Sequence, residues 1–466
     1  MKRSRRSFAA IVAGGAAVAL ALTACGGGSS DTAGSTVASV GGAQTAAAGG
    51  DVNGTIEYWL WDSLQLPAYQ ECADAFAKKY PGAKVNITQY GWDDYWAKVN
   101  NGFTSGTGPD VFTDHLSKYP EFVNKQYILN LTDALKADGA DKDIYQKGLL
   151  SLWTAQDGGI YGLPKDFDTI AMFYNEDMLK AAGYTDADVQ NLTWNATDGG
   201  TFEKFIAHMT IDNNGVRGDE PGFDKANVKT YGFGQENLTD GVGQTQWSPF
   251  TGSNGWDYTN VNPWGTQFNY GDDKFAETMA FYKSLSDKGY SPTIDKTVGV
   301  DTGTQLAAGT FATVFEGSWN TSSYLSKGVN LKIAPTPVGP SGKRASMFNG
   351  LADSVNAASK NQPTAVKWVE FTGSQECQDL VAAQAVVFPA IPESTTKAED
   401  AFKAKGIDMS GFTVQVKDGT TFLTPITDHA ADVTALMAPA LQAYMGGQAD
   451  ASSFKDVNDQ VNALFK

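Results

Sequence analysis

Between Gly54 and Ser63 the sequence GTIEYWLWDS alternates apolar and polar positions and ends polar, the period of a strand with one buried face. LPAYQECADAFAKKYPG then changes period. Pro67 suits a helix start, Tyr69, Cys72, Phe76 and Tyr80 fall on one stripe, and Pro81-Gly82 stops it. AKVNITQYG predicts a second strand, WDDYWAKVNNGFTSG a helix ended by glycines, and PDVFTDH a third strand. Strand, helix, strand, helix, strand at this spacing predicts an α/β fold with a mostly parallel sheet and helices on its faces.

The middle of the chain is looser. DGGIYGLPKDFDTIAMFYNEDMLKAAG reads as a turn, a strand and a helix with a glycine stop, and LTWNATDGGTFEKFIAHM opens another helix. From Asp212 to Asn262 the chain is rich in Gly, Asn, Asp and Trp, the composition of either a surface loop system or a ligand platform. Alternation resumes with FAETMAFYKSLSDKG, GTFATVFEGSWN, LKIAPTPVG and FNGLADSVNAAS, and helical patterns such as DVTALMAPALQAYM run to the end.

The N-terminus changes the picture of where this body works. Lys2, Arg3, Arg5 and Arg6 precede a short apolar run from Phe8 to Leu22, the pattern of a secretion signal. Leu22-Thr23-Ala24-Cys25 resembles the lipobox of bacterial lipoproteins, which implies lipidation at Cys25; the alternative is an ordinary signal with an incidental cysteine. Residues 26–50 lack aromatics and nearly lack charge, so they read as a flexible tether, with the fold expected to begin near Asn53. Formal charge is −17, and removing the four basic leader residues leaves 31 Lys and Arg against 52 Asp and Glu. Such an acidic chain is a poor partner for nucleic acid or an anionic membrane surface. Cys72 and Cys377 each sit on an apolar helical face and read as buried free thiols, with a disulfide as the alternative in an oxidising compartment.

GTGPDVFTDH, YGLPKDFDTIAMFYN, FATVFEGSWN and LADSVNAASKNQPTAVKWVEFTGSQECQ follow one another in an order and spacing that resembles the extracellular solute-binding proteins of bacterial ABC importers. The likeness is to the carbohydrate-binding class that includes maltose-binding protein, and it covers nearly all of the chain from Asn53. It implies a two-lobed, periplasmic-binding-protein-like α/β fold with the ligand in the cleft between discontinuous lobes. Residues 53–165 with 348–389 would form one lobe and 166–347 with 390–466 the other, behind a signal at 1–24 and a tether at 25–52. Hinge crossings are expected near Asp166, Phe348 and Pro389. The partners implied are a carbohydrate and a membrane permease, with a lipid anchor on the extracellular face and the body acting as a monomer; no cofactor is implied.

Ligands of open sheets sit beyond the carboxyl ends of strands, and three such ends are visible here: after the first strand, after PDVFT, and at the crossing that carries Asp168. Trp61 and Asp62 follow the first strand; Asp62 either contacts ligand or caps the next helix. Asp114 and His115 follow PDVFT, Asp114 as a polar sugar contact or an N-cap, His115 as a contact or a structural hydrogen-bonder. Carboxylates accept hydrogen bonds from hydroxyls and aromatic rings cover the C–H faces of a pyranose. The resemblance places an acidic ligand contact at Asp168 and a stacking aromatic at Trp319. Among the loop tryptophans Trp247 is the one expected to stack, and Trp92 stands between core and cleft. Asn349 and Gly350 lie at a crossing where a glycine admits backbone close to ligand.

Asp166 and Asp168 also raise a rival function, a secreted glycoside hydrolase using them as acids. Such enzymes need carboxylates on opposite sides of the scissile bond, roughly 5–10 Å apart, and this pair lies on one segment. No nucleophile elbow, P-loop or zinc-ligand spacing is present. DNNGVRGDEPGFD, with Asp212, Asn214 and Asp219, has the composition of a calcium loop, but its glycine and its twelfth residue are wrong for an EF-hand, and a polar surface turn is the expectation.

Overall fold

The computed structural model describes residues 43–466. In chain order its strands are β1 (Gly54–Leu60), β2 (Ala83–Gln89), β3 (Val111–Asp114), β4 (Leu163–Pro164), β5 (Asp166–Phe167), β6 (Ile170–Asn175) and β7 (Ile211–Asp212). There follow β8 (Val228–Gly234), β9 (Phe311–Gly317), β10 (Leu331–Ala334), β11 (Ser346–Phe348), β12 (Ala352–Val355), β13 (Phe388–Pro389) and β14 (Thr421–Leu423). Two five-stranded sheets result, ordered β2-β1-β3-β12-β4 and β10-β6-β9-β8-β7. Each is mixed where a mostly parallel sheet was expected. β1 runs parallel to β2 and β3, but β12 arrives from the other sheet and lies antiparallel to β3 and β4. In the second sheet β8 and β9 are parallel, while β6 is antiparallel to both β9 and β10.

The helical stripe read between the first two strands folds as the helix Leu66–Lys79, burying Tyr69, Cys72 and Phe76. Burial of that stripe, more than intrinsic propensity, holds such a helix in place. The next helix, Trp92–Ser105, ends at Gly106, whose left-handed φ of 70° a glycine adopts without steric cost. One apolar cluster, including Tyr58, Phe112, Trp153 and Trp368, covers the first sheet and continues onto the second through Phe173, Val314 and Ile333. The second sheet carries another, built on Trp194, Phe202, Trp247 and Phe250.

Three chain segments run between the regions of the two sheets, and they lie side by side. β5 pairs with β13 through Phe167–Phe388 and Asp166–Pro389, and Asp168 bridges Asn349. Phe167 stacks on Phe388 at 5.3 Å and on Phe348 at 5.6 Å, so each segment contributes one ring. The neighbouring Lys165 is fully buried and ion-paired with Asp353 at 3.1 Å, and it also donates to Tyr58 Oη at 2.9 Å and Thr113 Oγ1 at 2.7 Å. A buried charge is tolerated only with this degree of pairing.

Two expectations are corrected. Cys72 and Cys377 form a disulfide, because the helices Leu66–Lys79 and Gln375–Gln384 pack face to face and bring their Cα atoms to 5.2 Å. Packing also begins earlier than Asn53. Thr45 bridges Asn130, Ala46 N–H donates to the Asn130 carbonyl at 2.9 Å, and Ala46 is buried. The signal segment and Cys25 lie outside the described residues.

Candidate functional site

A cavity of about 940 Å³ opens where the carboxyl ends of β1 and β9 and the segment 166–168 converge. The polar turn after β1 brings Trp61 and Asp62 to it, and the turn after β9 brings Glu316 and Trp319. Seven carboxylates line it, those of Asp62, Asp93, Asp166, Asp168, Glu236, Asp240 and Glu316, against a lone lysine among the lining residues, Lys118. Trp61, Trp92, Trp319 and Phe268 supply rings. Trp61 meets Trp92 edge-on at 5.1 Å, and both flank His115. Trp92 remains 44% exposed, a large ring turned to solvent in the cleft mouth.

Asp62 does both things expected of it. Its Oδ1 accepts from the Leu64 N–H at 2.8 Å and its Oδ2 from Gln65 Nε2 at 2.9 Å, while the residue lines the cavity. His115 is fixed by the backbone: the Ser117 N–H donates to Nδ1 at 3.1 Å, so the ring proton sits on Nε2. Nε2 lies 3.1 Å from the Asn349 side-chain amide, and a donor must face an acceptor there, which assigns the amide oxygen to that contact. The amide NH₂ then takes the position without a protein partner, an unpaired donor in the cavity lining. Burial, with the Lys118 charge adding to it, pushes the His115 pKa down to about 3, so the ring is neutral.

The acid pair is unequal. Asp166 Oδ1 accepts from the Leu351 N–H at 3.0 Å, and burial raises its pKa to about 6 against the opposing charge of Lys165. Asp168 is raised further by burial and by the charge of Asp166, with only a long contact of 3.5 Å from Ser318 Oγ to offset it. Both carboxylates belong to one short segment, residues 166–168, of the cavity lining.

Of the residues singled out from sequence, Trp61, Asp62, Trp92, His115, Asp168, Trp319 and Asn349 share this cavity. Three do not. Asp114 is wholly buried, with Oδ1 accepting from the His115 N–H, because β3 lies inside its sheet and is covered on both faces. Trp247 is packed in the second apolar cluster against Trp256, Tyr258 and Phe275; its neighbours Gln244, Thr245 and Gln246 reach the cavity instead. Gly350 is set back between Asn349 and Leu351, and a Cβ there would meet Leu149 Cδ2 at 2.6 Å.

The loop region from Asp212 divides into two parts. The Asp212 carboxylate accepts from the backbone N–H groups of Asn214, Val216 and Asp224, so it closes its own turn, and Asp219 contacts His208. Among the described residues no cluster of three metal-ligating side chains occurs. Residues from Thr239 to Gln246, by contrast, form cavity wall. Glu236, Asp240 and Glu316 were missed in the sequence, though Glu236 and Glu316 follow or end apolar strands, the same signal that pointed to Asp62.

The family model described as bacterial extracellular solute-binding protein matches residues 71–409. A maltooligosaccharide ABC transporter solute-binding lipoprotein of Streptococcus pneumoniae is 26% identical over 338 residues, 71% of either chain. The lactose-binding protein of Rhizobium radiobacter is 31% identical over 148 residues, so the match spans 30% of this chain and 33% of that relative. Among solved structures, UspC of M. tuberculosis aligns with a TM-score of 0.68 at 24% identity, over 88% of this chain and 99% of that one. An ABC substrate-binding protein of Listeria monocytogenes in complex with cycloalternan aligns with a TM-score of 0.75 at 18% identity, over 88% and 99%. These structures share the two-lobed fold, and with the match over most of its length the chain belongs to the bacterial extracellular solute-binding protein family.

Proposed function

We propose that this protein captures a carbohydrate, an oligosaccharide rather than a single sugar, and delivers it to the permease of an ABC importer from a lipid anchor at Cys25. The observation that carries the reading is the lining of the cavity: carboxylates and indole rings from the strand ends of both sheets, in a space of about 940 Å³. Rings cover sugar faces and carboxylates accept hydrogen bonds from hydroxyls, and contacts from both sides favour closure of the cleft. The adjoining pairs β5–β13 and Asp168–Asn349 are where bending between the lobes is assigned. The transport role follows the family and the lipoprotein relative of Streptococcus pneumoniae.

The test is titration calorimetry of the chain from Ala43 against a panel of oligosaccharides, followed by recovery of the sugar. Micromolar binding of intact sugar is the expected result, worth about 8 kcal/mol. Cleaved sugar would assign Asp166 and Asp168 to hydrolysis and overturn the receptor reading. Asp168→Ala should weaken the binding found by about 1–3 kcal/mol, the cost of leaving a buried hydroxyl unpaired, with circular dichroism unchanged. An unaltered affinity in the folded variant removes Asp168 from the site.

A further inference from the structure

Behind the cavity wall a line of four oxygens joins two of its acids. The Thr302 hydroxyl lies 3.3 Å from Glu236 Oε1, the Tyr324 hydroxyl lies 2.6 Å from Thr302 Oγ1, and Tyr324 Oη lies 2.8 Å from Glu316 Oε2. Thr302 and Tyr324 are buried and do not reach the cavity, whereas Glu236 and Glu316 line it. We propose that Glu236 and Glu316 hold one proton between them through Thr302 and Tyr324, and that this shared proton sets the charge of that wall.

The argument is a count. Three oxygen–oxygen contacts at hydrogen-bonding distance need three protons, one in each. The two hydroxyls bring two. If both acids were ionised, the two hydroxyls could fill only two of the three contacts. Lone pair would then face lone pair, either between Thr302 and Tyr324 at 2.6 Å or between Thr302 and Glu236 at 3.3 Å. A third proton, from a carboxylic acid at one end, fills all three. With Glu236 protonated, Glu236 donates to Thr302, Thr302 to Tyr324 and Tyr324 to the Glu316 carboxylate. Shifting each proton one place along the line gives the mirror arrangement, with Glu316 protonated and Glu236 ionised. Total charge is −1 in both, so the proton belongs to the pair.

The surroundings favour keeping it. Glu316 is buried, and burial raises its pKa to about 7, the charge of Glu236 adding to the shift. Glu236 is raised by burial and by the charges of Asp240 and Asp301, the latter 3.5 Å from Lys327. The Tyr282 phenol also faces this group, its own pKa raised by burial and by the charges of Glu236 and Asp240. Against these, Glu316 Oε1 accepts the Gly317 N–H at 2.8 Å, and hydrogen bonds from Asn320 to Glu316 and from Thr245 to Glu236 favour the charged form at each end. Tyr324 and Thr302 are thus positioning residues for the acids that a ligand meets.

The consequence for ligand rests on the cavity being the binding site: a hydroxyl entering this corner meets a wall with one negative charge, not two. The proton itself is read without any ligand. In the full described chain labelled with δ-¹³C glutamate, a titration from about pH 5 to 9 should show Glu236 and Glu316 moving together and releasing one proton near neutrality. Glu236→Gln replaces the shared proton by an amide N–H donating to Thr302, so Glu316 should stay ionised and its neutral titration should vanish. Glu316→Gln should do the same to Glu236, and the two isosteric variants check each other. If Glu316 still protonates near neutrality in Glu236→Gln, burial alone governs it and the shared proton is overturned. Silence of every sugar in calorimetry would bear on the ligand reading and leave this titration untouched.

Discussion

At the scale of a residue, Gly317 shows how a small side chain can place a large one. Its backbone, φ −86° and ψ 153°, is open to any amino acid. The requirement is steric: a Cβ at Gly317 would lie 2.0 Å from Cζ3 of the Trp319 indole. Gly317→Ala should therefore keep the strand and evict the ring from the cavity wall. Oligosaccharide affinity should fall by about 1–2 kcal/mol, matching Trp319→Ala, with a shift in indole fluorescence. A variant that binds as tightly as wild type would show that the ring carries no ligand contact. The rule that ligands meet strand carboxyl ends pointed to Asp62 and Asp168, and the family resemblance pointed to Trp319; all three line the cavity. The rule failed for Asp114 because β3 is covered on both faces, and no local pattern says how far a strand end is covered by the chain around it. Thr113 joins Lys165 and Asp353, and Asp114 turns the other way beside Tyr95 and Tyr119. Glu316 stood in plain view in FEGSW, but whether its carboxylate reaches ligand depends on the chain beyond β9, which no local pattern specifies.

At the scale of elements, the disulfide ties together two helices 305 residues apart in sequence. Cross-linking so distant a pair restricts the unfolded chain strongly, and removing it should cost about 2–4 kcal/mol. Cys72→Ala with Cys377→Ala should lower the unfolding free energy by that amount, read as a lower denaturant midpoint, and reductant should do the same to wild type and nothing to the double variant. Equal midpoints with and without reductant in wild type would mean that the bond adds no stability. The helices themselves were legible, from Pro67 at the start of one to the stripe of Tyr69, Cys72 and Phe76. Their partnership was not. An apolar helical face says that it will be covered and does not say by what, so each cysteine read as a buried thiol. The same limit hid the direction of β12: its alternation gives a strand, while its antiparallel register with β3 follows from the crossing that delivers it.

For the whole molecule, the buried acids make stability depend on pH in a direction opposite to ordinary acid denaturation. Burial raises the Asp114 pKa to about 8, and its Oδ2 has no partner. Unfolded, the same group has a pKa near 3.9, so between the two values the folded state holds a proton that the unfolded state has released. Stability should then fall as pH rises, by about 1.4 kcal/mol per unit for each such group. His115 works against this at lower pH. Its folded pKa of about 3 lies below the usual 6.5, so the unfolded chain binds the extra proton and stability rises with pH until about 6.5. The His115 slope offsets one carboxyl slope below that point, while Asp166, Asp168 and Glu316, also raised by burial, add slopes of the same sign as Asp114. Melting temperature should therefore decline from about pH 5 to about pH 8. Asp114→Asn cannot ionise and keeps an amide oxygen for the His115 N–H, so it should flatten the decline and melt above wild type at pH 8. An Asp114→Asn curve parallel to wild type would mean that Asp114 is ionised in the folded protein. The Lys118 charge and the Ser354 hydroxyl, which both favour the charged form, would then outweigh its burial.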